Sequence, residues 1–297
     1  MILSFNIVIY LFCAGAGAGL YVVQAAEGLW LSRGGVSSLR GRLQHERIPL
    51  ALAGLLCAVG AIFLLVDLGK PERMISLFFS PHPTAITVGA YALAAFVVAV
   101  ALQFFARYLV TMAVPRWVDA LLSAVAVVAA CVIMVYAGLL LAFMPGIDLW
   151  ASAWVPVLFV ASALSSGCAL LMALDALSLR DLGAARGVLS VVDRVLIVAE
   201  AAVLVVLLAT VGASGADGAR AVWSLVGGEY AWAFWLGLVV VGLLVPFVVE
   251  TAASRWPVTA SIELATAVAV LVGCFMLRYC IVAGGAYGSI VLPALSL

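Results

Sequence analysis

VDALLSAVAVVAACVIMVYAGLLLAF, residues 118–143, decides how the chain is read. Asp119 is its one charged residue. Crossing a ~30 Å hydrocarbon core takes ~20 helical residues, and this run is long enough. Polar and apolar positions do not alternate along it, which excludes a β-barrel strand. Runs of the same kind recur at 5–31, 48–66, 84–112, 154–177, 187–212, 231–250 and 258–283. The sequence therefore predicts an all-α integral membrane protein with eight transmembrane helices. They form one polytopic membrane domain, 1–297, built as two four-helix-bundle-like halves.

Composition agrees. Of the 297 residues, 67% are hydrophobic and 9% charged, against ~45–50% and ~25% in soluble domains. A soluble enzyme, a nucleic-acid binder and a disordered regulator are excluded, and the lipid bilayer is the first partner. The first run has no Lys or Arg before it and is longer than a signal-peptide core, so it reads as an uncleaved span. No internal repeat is evident.

Net charge is zero, so the placement of cations carries the information. Connections after the odd-numbered spans hold Arg33, Arg40, Arg42, Arg47, Arg107, Arg116, Arg180, Arg186 and Arg255, with Arg194 just inside the sixth span. The other side has Lys70, Arg73 and Arg220. Cytoplasmic loops are enriched in Lys and Arg, so the arginine-rich side is expected in the cytoplasm and both termini outside. All eight Trp fall near predicted span ends, as an interfacial belt would require. The stretch 213–230 is the longest polar connection. The segment 279–295 reads as a helical tail that leaves the membrane or lies along its surface.

Some residues carry chemistry. Gly15 and Gly19 give the first helix a small-residue face for close helix approach. Asp67 ends the second helix, where the helix dipole disfavours a carboxylate. It calls for a partner: Lys70 and Arg73 supply a local ion pair, or the group is functional. Tyr136 lies one to two turns inside the fourth helix at the same end, where its hydroxyl needs a hydrogen-bond partner. Ser162 and Ser166 share a face of the fifth helix and read as packing residues. Glu27, Glu200 and Glu263 lie inside spans, where ionisable groups are costly and default to functional hypotheses. They read either as a proton path or as structural carboxylates lining the bundle. Arg278, inside the last helix, must meet a carboxylate, carbonyls or a polar ligand. The two histidines, His45 and His82, fall in connections on opposite sides, so bis-histidine haem is excluded. The six cysteines are scattered through apolar stretches, a pattern of buried small hydrophobes rather than of a cluster ligand set.

Three stretches resemble the NrfD/PsrC-like membrane subunits of respiratory oxidoreductases such as polysulfide reductase: LLVDLGKPERMISLF at 64–78, VYAGLLLAF at 135–143 with WVPVLFVASALSSGCALL at 154–171, and ELATAVAVLVGCFMLRYCIVAGG at 263–285. The resemblance implies a haem-free, quinone-reactive subunit without an iron–sulfur cluster of its own. The partners it implies are a ferredoxin-like iron–sulfur subunit with several 4Fe–4S clusters and a molybdopterin catalytic subunit. The setting would be the bacterial cytoplasmic (inner) membrane, with the iron–sulfur partner on the outer face. Menaquinone or ubiquinone would exchange there. Tyr136 would hydrogen-bond the quinone, Asp67 with Lys70 or Arg73 would handle its proton, and Arg278, Asn6 and Tyr10 would stand nearby. Glu27, Glu200 and Glu263 would offer a proton route. A secondary transporter and a purely structural anchor are the competing readings. The first lacks the inverted repeat and paired broken helices expected of such folds.

Overall fold

The computed structural model describes residues 5–33, 39–68, 85–109, 115–143, 147–183, 185–253 and 259–286. Among these there are no strands. The helices are α1 (Phe5–Arg33), α2 (Leu39–Leu68), α3 (Ala85–Phe104, with a π-helical end Phe105–Leu109), α4 (Arg116–Ala142), α5 (Trp154–Ala176), α6 (Ala185–Gly212), α7 (Ala216–Val226), a π-helical stretch Ala233–Leu244 that runs into α8 (Val245–Ala253), and α9 (Ala260–Ala286). Eight segments are long and apolar enough to span a membrane: Phe5–Leu31, Glu46–Asp67, Thr87–Tyr108, Trp117–Ala142, Trp154–Ala176, Ala185–Gly212, Ala233–Ala253 and Ala260–Gly285. Each falls within a few residues of a run read from the sequence, because hydrocarbon thickness sets the length of every span.

The two halves are visible in the packing. In one, α1 packs on α2, α2 on α3 and α3 on α4; in the other, α6 packs on α5, and α9 on both α5 and the π-helical stretch. The halves meet mainly along α1 and α5. The seam is a backbone-to-backbone approach. A Cβ built at Gly19 would collide with the Ala163 carbonyl, and one at Gly167 would sit 2.5 Å from the Gly19 carbonyl carbon. Without water, helices associate through such close packing rather than through hydrophobic burial.

The arginines at one end of the bundle are clamps. Arg107 takes both oxygens of Asp119 at 2.7 and 2.9 Å and Glu46 at 3.0 Å, joining α2, the end of α3 and α4. Arg180 pairs with Glu27 at 2.5 Å, tying the end of α5 to α1. Arg186 joins Asp175 and, at 3.3 Å, Glu263. The clustering of arginine at this end therefore serves packing between helices.

Four details depart from the sequence reading. The 213–230 connection contains a helix, α7, with Asp217 in its first turn, Gly218, Ala221 and Leu225 buried, and Trp223 exposed. Trp150 is not in an interfacial belt. It is 1% exposed and donates its indole N–H to the Ile281 carbonyl at 2.7 Å. The segment 279–286 continues α9 within the bundle instead of forming a separate tail, while 287–295 lies outside the described residues. His45 lies on helical backbone, since α2 begins at Leu39, six residues before it. The seventh span is π-helical up to Leu244, two residues before Pro246, and the Val245 N–H reaches back five residues to the Val240 carbonyl. A proline cannot donate to the carbonyl four residues back and clashes with it, so a widened turn ahead of Pro246 relieves the conflict.

Candidate functional site

Tyr136 is the first group to place. It is buried on α4, and its ring fills the space that a side chain at position 89 of α3 would need. Only a glycine at 89 leaves that room. Above the ring runs a laterally open groove of ≈ 420 Å³ lined by Val88, Cys131, Val132, Val135, Leu139 and Phe143. Apart from the phenol, this lining offers almost nothing polar. No described residue hydrogen-bonds the Tyr136 hydroxyl. Behind it, Tyr10 of α1 is buried and close enough to interact electrostatically with both Tyr136 and Cys57 of α2. Asn6 is half-buried in the first turn of α1. Asp67 is half-buried in the last turn of α2, at the same end of the bundle. Lys70 and Arg73 lie outside the described residues, as does His82.

Arg278 meets carbonyls and a hydroxyl. It is 1% exposed, and it donates to the Leu11 carbonyl at 3.1 Å, to its own Cys274 carbonyl at 2.7 Å and to Ser162 Oγ at 3.0 Å. Its guanidinium also lies over the rings of Phe12 and Phe159, 5.9 and 5.5 Å from their centroids. Such faces attract cations. One side chain thus ties α1, α5 and α9 together, and Gly15 leaves the room for it: a Cβ there would stand 2.7 Å from Nη2. Ser162, expected to serve packing, is a polar partner instead. Ser166 bonds only its own helix, at the Ala163 carbonyl.

Below Arg278 the second half of the bundle holds a polar ladder. The Glu200 carboxylate of α6 is 2% exposed and lies beside the Ser162 hydroxyl. Two turns back on the same buried face, Asp193 accepts a hydrogen bond from Ser165 at 2.7 Å. The Asp193 carboxyl faces that of Glu250 on α8. Asp193 Oδ2 and both oxygens of Glu250 are buried with no hydrogen-bond donor among the described residues. Glu250 also lines a cavity of ≈ 320 Å³ that includes Arg186, Arg194, Glu263 and Thr266.

The three carboxylates singled out in the sequence therefore separate. Glu200 belongs to the ladder. Glu263 stands at the cavity beneath it, held by Arg186. Glu27 is elsewhere, committed to the buried ion pair with Arg180. Five of the six cysteines are buried; Cys131 is exposed and lines the Tyr136 groove.

Over residues 1–288 the sequence matches the family described as Polysulphide reductase, NrfD. The chain belongs to the NrfD family. No curated protein matches the chain. Membership makes this a membrane subunit of the polysulfide-reductase-like kind, and NrfD proteins in general work with iron–sulfur and molybdenum subunits. Within this NrfD chain, the sequence reading missed Asp193 and Glu250. Asp193 is followed by Arg194 near the start of its span and looks like an interfacial charge, while Glu250 closes the seventh apolar run. The usable signal was helical register. Leu189, Asp193, Ile197, Glu200, Leu204, Leu207 and Val211 follow a three-or-four spacing, and all are buried. Such spacing puts a single stripe on the bundle side.

Proposed function

We propose that this chain is the quinone-reactive subunit of a respiratory oxidoreductase, with its site at the Tyr136 groove. The observation that supports this is a buried phenol, free of hydrogen bonds among the described residues, under an apolar groove open to the side. That is the shape and polarity a quinone needs: an isoprenoid tail against Val88, Val132 and Leu139, and a ring oxygen against the Tyr136 hydroxyl. Ligand sites of this kind are largely apolar with a few polar groups that fix orientation. Oxidation of a quinol releases two electrons and two protons. The hydroxyl orients the ring, and Asp67, half-buried at the same end, is the base that takes the two protons in turn and passes each to the aqueous edge. The electrons pass to a 4Fe–4S cluster of a ferredoxin-like partner and on to a molybdopterin subunit. Menaquinone and ubiquinone both fit this chemistry.

The arginine-rich end is cytoplasmic in this reading, by the positive-inside rule. The Tyr136 end and the iron–sulfur partner then face outward from a bacterial inner membrane, and the chain carries neither haem nor a cluster.

The test is quinol oxidation by membranes carrying the assembled complex, wild type against Tyr136→Phe and Asp67→Asn, with copurification of an iron–sulfur subunit as the assembly check. Both variants are expected to assemble and to lose quinol oxidation, by roughly 10²-fold if a positioned proton acceptor is removed. Normal turnover in both assembled variants refutes the site. Failure of any iron–sulfur protein to copurify with the wild type refutes the electron-transfer role.

A further inference from the structure

The Asp193–Glu250 pair is the polar feature that the quinone site does not use. Two carboxyl groups face each other, 0% and 5% exposed, on different helices. Among the described residues three of their four oxygens are buried without a donor, and only Asp193 Oδ1 is satisfied, by Ser165. Among the described residues no Arg or Lys nitrogen lies within ion-pair distance of either. The groups around them are few. On α6, Arg194 is the nearest cation; it is half-buried and directs its Nε to the Ser190 carbonyl at 3.3 Å. On α5 stand the Ser165 hydroxyl and the Cys168 thiol. On α9, Glu263 and Thr266 line the cavity, and Arg186 of α6 stands at its edge, engaged with Asp175 and Glu263. Two like charges that touch in a low-dielectric interior cannot both stay ionised. A buried charge without a partner costs several kcal/mol. A single proton between Asp193 Oδ2 and a Glu250 oxygen removes the like-charge repulsion and turns one acceptor into a donor, leaving one negative charge spread over the pair.

The surroundings give this proton a way in and a way on. Glu250 borders the ≈ 320 Å³ cavity at the arginine-rich end, and Asp193 sits behind it. From Asp193 to Glu200 is seven residues, about 10.5 Å along a helix, too far for a direct transfer. Ser165 and Ser162 bridge the gap from α5: the first donates to Asp193, and the second lies beside Glu200. The hydroxyls are three residues apart on one helix, about 4.5 Å in rise. Carboxylates on α6 and hydroxyls on α5 thus run in parallel, and the ladder ends where Ser162 accepts from Arg278, whose Nε reaches Leu11, the neighbour of Tyr10.

We propose that Asp193 and Glu250 share one proton and form the loading site of a proton route that opens through the cavity at the arginine-rich end and runs by Ser165 and Ser162 to Glu200. The site stands on the carboxylate geometry; its use in coupling rests on the quinone reading above.

Two measurements test it on the purified complex. The first is infrared difference spectroscopy of the protonated carboxylic C=O stretch near neutral pH. The wild type is expected to show a band that shifts in D2O and changes frequency or disappears in both Asp193→Asn and Glu250→Gln. Absence of that band, or an unchanged frequency and intensity in both variants, overturns the shared proton. Loss of the band on adding NaCl but not KCl reassigns the site to sodium and also overturns it. The second uses liposomes with a trapped pH dye, reading proton uptake at the arginine-rich face during quinol turnover. Uptake is expected to fall at least tenfold in both variants, while Tyr136→Phe leaves the infrared band intact. Full uptake in both variants overturns the route. Wild-type complex that shows the band but does not oxidise quinol overturns the quinone reading and leaves the dyad standing.

Discussion

Replacing Glu27 by Gln should separate a structural carboxylate from a catalytic one. The Arg180–Glu27 pair is short, at 2.5 Å, with side chains 5% and 2% exposed. Nε and Nη1 of Arg180 already have no acceptor among the described residues, so Glu27 is the counter-charge for the whole guanidinium. Removing one partner of a buried pair leaves the other charge stranded, at a cost of about 3–5 kcal/mol. The low end, about 3 kcal/mol, is expected for Gln, because its amide oxygen still accepts from Nη2. That corresponds to more than about 100-fold in the folded-to-unfolded ratio. The assay is thermal unfolding in detergent followed by a thiol-reactive dye. Five cysteines are buried and report opening, and a Cys131→Ser background removes the exposed one. Arg180→Met and the double variant complete the cycle, and the double should lose less than the sum of the singles by about 0.5–3 kcal/mol. An unchanged midpoint in Glu27→Gln, or simple additivity, refutes the clamp. Loss of proton movement at an unchanged midpoint would instead return Glu27 to a proton path.

Trp150→Phe removes the indole donor to the buried Ile281 carbonyl and should lower the unfolding free energy by about 0.5–1.5 kcal/mol, measured by the same dye. Gly19→Leu drives a side chain into the Ala163 backbone and should abolish the assembled, monodisperse protein on size exclusion, whereas Gly187→Leu, with nothing within 4 Å of its added Cβ, should leave it intact. Cys131→Trp fills the groove above Tyr136 and should raise the apparent KM for quinol about tenfold with little change in the unfolding midpoint. An unaltered KM would place quinone access elsewhere.

The spans were legible because bilayer thickness is a blunt constraint: an apolar stretch of sufficient length has one way to satisfy its backbone. The use of individual polar residues was not. Arg278 announced itself as needing partners, but its three acceptors come from α1, α5 and its own helix, and no local pattern joins residues 11, 162 and 278. Asp193 was masked by Arg194 beside it, although the two point to different surroundings. Trp150 shares a sequence context with the exposed tryptophans and differs only in the helix that crosses over it. The π-helical seventh span has no signature beyond Pro246 and the close meeting of Gly242 with Gly273 on α9.

The Arg278 junction also bears on how the protein is made. Ribosomes deliver α1 and α5 before α9, yet the cation that binds Leu11 and Ser162 arrives only with α9. Until then, the faces of α1 and α5 that will receive it lack the side chain that fills the space beside Gly15. Trp150, between α4 and α5, likewise waits for the Ile281 carbonyl. Insertion into the membrane and completion of the bundle are therefore separate events. A translation product that stops before residue 278 has seven complete spans but lacks the cation that ties α1 to α5.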